Sequence, residues 1–198
     1  MSGQVVKYLL ILIGPKLTRL ALLCALPGFL FAADATHYRV MLQSVDGAVS
    51  YDIARLAIEP DSGRYQVLMK EEAFSDYFLS MRPFRCMSDS ADMLCHLPYP
   101  YQLPGEISPG ISDADLTTLE HHFLFIRRKP TDYGIDPWNG LYYTIEKRGD
   151  GFVGRAHEVD LNILAAPPEG DALPLTGAEM HEGDRDALWL PALVITPQ

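Results

Sequence analysis

The sequence predicts a mainly β protein, a curled antiparallel sheet closed as a small barrel or folded as a sandwich, with one or two short helices. Three observations carry this. Apolar and polar residues alternate at period two through much of the chain beyond residue 35, as half-buried strands require. Turn residues punctuate that alternation at short intervals, as at Asp46-Gly47, Asp61-Ser62-Gly63 and Gly149-Asp150-Gly151. Helical spacing occurs in only two short stretches.

In order along the chain, Tyr38, Val40 and Leu42 alternate with Arg39, Met41 and Gln43 in a first strand. Asp46-Gly47 turns the chain into Tyr51–Ile58, and the next turn leads into Tyr65–Met69. These three strands form a meander. Phe74, Tyr77, Phe78 and Met81 stand at i, i+3, i+4 and i+7, which predicts a helical turn within 70–82. Pro83 ends it, because the residue before a proline avoids the α region. Residues 97–111 are rich in Pro, Gly and Tyr and read as a long ordered loop. Ser112 then caps a short helix, with Asp115 three residues on and Leu116, Leu119 and Phe123 as its apolar face.

Phe123–Lys129 continues as a strand, and Pro130–Gly140 is a second loop of turn residues. Leu141–Lys147 and Phe152–Val159 form the clearest hairpin. Its turn contains Arg148-Gly149-Asp150, a tripeptide known from adhesion ligands that the needs of a tight turn explain fully. Asp160–Leu164 extends the second strand or starts another, and residues 167–187 are polar and rich in Pro and Gly. Leu188–Ile195 is a closing strand in which Pro191 favours an edge or a bulge. Eight or so short strands of this kind favour a lipocalin-like barrel over a sandwich.

The first 35 residues differ from the rest. They carry Lys7, Lys16 and Arg19 but no acid before Asp34, and an apolar run from Leu20 to Phe31. Such a run suits the core of a signal peptide and is short for a membrane span. Ala33-Asp34-Ala35 supplies a small-x-small cleavage site, so residues 1–35 are expected to leave and 36–198 to fold as a single β-rich domain in the periplasm or outside the cell. Cleavage after Ala32 or Ala33 is the alternative. Membrane attachment is expected only if that segment stays uncleaved.

Cleavage takes the 16 basic and 26 acidic residues to 13 and 25, a net charge of −12. Such a surface repels phosphate backbones and excludes nucleic acid as a partner. Cys24 leaves with the signal, while Cys86 and Cys95 remain as an even pair, which in an oxidising compartment implies a disulfide. A turn over Asp89–Asp92 places Ser88 opposite Met93, Met87 opposite Leu94 and Cys86 opposite Cys95, a hairpin with the bridge across its strands.

The chemistry-bearing residues point more to binding than to catalysis. No G-x-S-x-G elbow, Gly-rich phosphate loop or H-E-x-x-H motif occurs, so no cofactor and no metal site is expected. The strongest enzymatic alternative is a metal-dependent or hydrolytic site using His121 or His122 with His157 and Asp160. The favoured reading places an envelope protein or a small apolar ligand against two aromatic loops, 98–111 and 131–143. Tyr99 and Tyr101 come from the first, and Tyr133, Trp138 and Tyr142 from the second. A competing expectation has Trp138 plugging one end of the barrel as a core residue.

Overall fold

The computed structural model describes residues 35–79, 83–107, 116–170 and 172–198. The expected signal core, the Ser112 cap and Met81 lie outside the described residues. The strands are β1 (Thr36–Gln43), β2 (Ser50–Ile58), β3 (Tyr65–Met69), β4 (Asp76–Leu79), β5 (Pro83–Ser88) and β6 (Met93–His96). After helix α1 (Thr117–Glu120) come β7 (Phe125–Arg128), β8 (Gly140–Arg148), β9 (Gly151–Val159), β10 (Met180–His181) and β11 (Ala192–Pro197).

They build one open, curled antiparallel sheet, a half-barrel with 44% of the chain in strands. Its order is β3-β2-β1-β11-β9-β8-β7-β6-β5-β4, with β10 beside β9. Neighbours in space are mostly neighbours in sequence. The exception is β11, which pairs with both β1 and β9 and joins the meander β1–β3 to the meander β4–β9. The two outermost strands, β3 and β4, are consecutive in the chain, so residues 70–75 cross the seam between them, while residues 105–107 pair with the start of β3. Phe74 fills that seam. It is buried and stacks on Phe125 with ring centroids 6.3 Å apart.

The alternation read from the sequence sorts the side chains between two faces. Val40, Leu42, Leu56, Phe125, Tyr143 and Leu193 belong to the large cluster on the concave face. Burial of each of the aliphatic members contributes roughly 2 kcal/mol. A smaller cluster forms on the other face, where Leu161, Leu164 and Leu175 cover Tyr142, Ile126 and Val159. The helix face predicted from Leu116, Leu119 and Phe123 is buried without residual exposure. Gly149 turns the β8–β9 hairpin at φ 60°, in the left-handed region that favours glycine.

Three local expectations need correction. Residues 71–73 do form a helical turn, but Tyr77 and Phe78 sit in β4 and not on a helix. Pairing with β5, with Asp76 opposite Cys86 and Tyr77 opposite Arg85, outweighs their helical spacing, and Tyr77 points to solvent at 59% exposure. Residues 161–165 are a 3-10 turn and not a strand, because the Asp160 side chain accepts from the Asn162 amide and caps it. Pro191 stands just before β11, which runs through the middle of the sheet. Its carbonyl accepts from the Ala156 amide at 2.9 Å, and having no N–H it cannot return the second bond of that pair.

The cysteine hairpin matches its expected register. Cys86 faces Cys95, Met87 faces Leu94 and Ser88 faces Met93, and the two cysteines are bonded. The Asp89 carboxylate accepts from the amides of Ala91 and Asp92, both at 2.7 Å, and fixes the turn. A formed disulfide fits an oxidising compartment. Among the described residues no helix is long and apolar enough to cross a membrane.

Candidate functional site

The longest hairpin builds a concavity on its outer face. On the outer face of β8 and β9, Tyr142 lies opposite His157, Thr144 opposite Arg155, and Glu146 opposite Val153. The row continues into β11, where Ala192 faces Arg155. The chain returns over this face at 172–180. Leu175, fully buried, and Met180, paired with Val159, pin the returning segment. Helix α1 contributes Thr117 and Glu120 to the opposite wall, and Arg185 lines the site as well. Between them lies a solvent-open cleft of about 970 Å³.

Glu120 is the anchor of that wall. Strand β7 pairs with β8 only at Phe125–Leu141 and Ile126–Gly140, so the far half of β8 has no strand on that side. One Glu120 carboxylate oxygen accepts from the Ile145 amide at 2.6 Å and takes the place of a strand carbonyl. The other accepts from the Tyr142 hydroxyl at 2.5 Å. Burial, then the Glu120 charge and this hydrogen bond, push the Tyr142 hydroxyl far above its ordinary pKa, so it stays a donor.

Across the cleft floor, Thr144 Oγ1 and His157 Nε2 are 2.8 Å apart. Burial and the Arg155 charge hold His157 below the ordinary histidine range, against an opposing pull from Glu182. The cations are unequal. Arg148 is paired with Glu146 at 2.7 Å. Arg155 and Arg185 have no ion-pair partner among the described residues.

Of the five aromatic residues that the sequence nominates, three are linked. Tyr99 packs edge-on against His121 at 5.0 Å, and His121 packs edge-on against Tyr142 at 5.5 Å. Tyr101 lies 5.6 Å from Tyr99, and its hydroxyl donates to the Leu164 carbonyl at 2.9 Å. Tyr142 is buried and reaches the cleft from below, where a loop rim was expected. Tyr133 and Trp138 stand apart from this ladder, at 107% and 69% exposure. Trp138 therefore does not plug the fold. It sits on the 3-10 turn Pro137–Asn139, whose start is capped by Asp136.

The four residues of the enzymatic alternative each have a separate partner. His121 Nδ1 is 2.7 Å from the Thr117 carbonyl oxygen, and its Nε2 has none among the described residues. His122 packs edge-on against Tyr65, His157 bonds Thr144, and Asp160 caps its turn. Among the described residues no group of three His, Cys, Asp or Glu side chains could hold a metal ion.

Sequence reasoning missed Arg155, Arg185, Thr144 and Glu120. The outward positions of a hairpin read as solvated, and only the return of 172–180 over them makes a cleft. The available signal was weak: Glu120 follows Leu119 on the face that Leu116, Leu119 and Phe123 bury, and a buried acid needs a donor. Compared with known proteins, the chain matches no family model, and neither a curated protein nor a solved structure matches it significantly.

Proposed function

We propose that this chain is a non-enzymatic binding domain of the periplasm or the extracellular space, and that its small-ligand site is the cleft between the β8–β9 hairpin and residues 172–180. The observation that carries the reading is the convergence, in one cleft of about 970 Å³, of polar groups with apolar side chains. Thr144, His157 and Arg155 stand beside Val153, Leu173, Leu175 and Met180. Polar and apolar side chains share this lining about equally, the apolar ones able to cover a ligand and the polar ones to orient it. The disulfide and the expected signal support the compartment.

The test is native mass spectrometry of the protein recovered from the envelope of expressing cells, beside a Val153→Trp variant that fills the cleft floor. Wild type is expected to carry a bound small molecule, or to take one up from an envelope extract, and the variant to lose it. Equal loading of both proteins would remove the cleft as the site.

A second reading is favoured by the exposure of Tyr133 and Trp138 on one loop. A partner protein seated there would bury two large aromatic side chains, the residue types that dominate interface energies. Photo-crosslinking from position 138 in the envelope tests it. A discrete adduct that a Tyr133→Ala change abolishes is expected, and an absence of adducts would refute it.

A further inference from the structure

We infer that the cleft binds an organic anion, through a carboxylate, phosphate or sulfonate group held by Arg155 and Arg185, with an apolar body lying along the cleft walls; this rests on the small-ligand reading above. The charge inventory of the cleft is the first ground. Its two acids are already engaged, Glu120 by the Tyr142 hydroxyl and the Ile145 amide, and Glu146 by Arg148. Of its three arginines only Arg148 has a carboxylate partner among the described residues. The lining thus carries three guanidiniums against two carboxylates, a net charge of +1, on a chain whose net charge is −10.

Two unpaired guanidiniums facing one concavity are a recognition pattern and not a by-product of composition. A guanidinium presents its donors as a planar fork that matches the oxygens of a carboxylate or a phosphate. Thr144 adds a hydroxyl in the same row as Arg155. Burial and the Arg155 charge hold His157 below the ordinary histidine range, and its ring bonds Thr144. Glu182, whose charge reaches His157, would repel an anion from that end and orients the ligand toward Arg155.

The second ground is shape. Arg155 stands between Val153 and His157 on β9, with Ala192 opposite it on β11. Leu173 and Leu175 lie on the covering segment. A small inorganic ion would leave this apolar surface wet, whereas an anion with a hydrocarbon or ring body would cover it. Arg155 is exposed on the cleft side, so the contact is screened and binding is expected to weaken as salt rises.

The experiment is isothermal titration of the purified full-length protein with three probes: decanoate, decyltrimethylammonium and inorganic phosphate. The variants are Arg155→Gln, Lys129→Gln as an exposed control off the cleft, and Val153→Trp, with Leu173→Trp as the alternative cleft-filling change. Decanoate is expected to bind with unit stoichiometry and decyltrimethylammonium not to bind. Arg155→Gln is expected to weaken decanoate about tenfold, the factor that one charge-assisted contact supplies, and Lys129→Gln to leave it unchanged.

Equal binding of the two amphiphiles, blocked by Val153→Trp but untouched by Arg155→Gln, would overturn the anion inference and leave the cleft reading standing. Phosphate binding as tight as decanoate would overturn the apolar body. Decanoate binding that neither cleft-filling variant reduces would overturn both readings together.

Discussion

Acidification gives the sharpest test of the packing around α1. His122 packs edge-on against Tyr65 at 5.6 Å and lies close enough to His96 and His121 for their charges to act on it. Burial, and then those two neighbours, lower its pKa from 6.5 to about 4. In the unfolded chain the ring titrates near its ordinary value. Between these values the unfolded state binds the proton and the folded state does not. The stability contributed by the neutral ring is therefore complete above pH ~6.5 and is lost as pH falls toward ~4.

The loss at pH ~5 works out at about 2 kcal/mol for His122 alone. Further loss comes from His96 and His121, which burial also holds low. The assay is urea unfolding at pH ~7.5 and pH ~5, where 2 kcal/mol moves the midpoint by roughly 1 M at constant slope. His122→Phe keeps a ring against Tyr65 and removes the proton site, so its midpoint should fall by about 1 M less. The carboxylates held low, Asp46, Glu59 and Glu179, titrate below their ordinary 3.8 to 4.5. Equal acid sensitivity in wild type and His122→Phe would refute the reasoning, as would a wild type that gains stability on acidification.

Reduction of Cys86–Cys95, whose partners are nine residues apart, should cost about 2–3 kcal/mol and leave the binding cleft intact, measured by urea unfolding with and without reductant. Glu120→Ala strands the Ile145 amide and the Tyr142 hydroxyl, and should lower stability by roughly 2–5 kcal/mol in thermal unfolding; a loss under about 1 kcal/mol would mean that water replaces the carboxylate. Trp138→Phe should leave the thermal midpoint unchanged, yet remove most iodide quenching of fluorescence, because the remaining Trp189 packs against the core.

What the sequence made legible follows from periodicity. Period-two alternation places Val40 and Leu42 in the core, and the spacing of Cys86 and Cys95 around a four-residue turn sets the register of β5 and β6. Where local signals conflict with pairing, pairing wins: Tyr77 and Phe78 keep helical spacing but lie in β4, because β5 offers that stretch a ladder. The site was legible only in part. Tyr99, Tyr101 and Tyr142 do meet, but through His121, which the sequence offered only to the enzymatic alternative and which stands as an aromatic spacer. Trp138 was open to both the plug and the rim reading, because an isolated aromatic on a loop carries no period to say which way it faces.

The position of the cleft follows from unequal strand lengths. β8 and β9 are nine residues each, whereas β7 is four. A sheet with matched strands would present the far half of β8 with a full ladder, and no helix would be needed there. The short β7 instead leaves Ile145 without a carbonyl partner on that side, and α1 supplies Glu120 in its place. The same mismatch leaves Thr144, Glu146 and Arg148 flanked by α1 on one side and by β9 on the other. On the concave face Phe74, Phe125, Tyr143 and their neighbours pack together in the core. Extending β7 backward to residue 121, the position its register puts opposite Ile145, with strand-forming residues at 121 and 122, should compete with α1 for the Ile145 amide. If the cleft depends on that mismatch, such a chain would keep its core and lose the cleft wall, and decanoate binding would fall with it. Binding unchanged in a chain whose Ile145 amide is shown by hydrogen exchange to have a strand partner would separate the wall from the site.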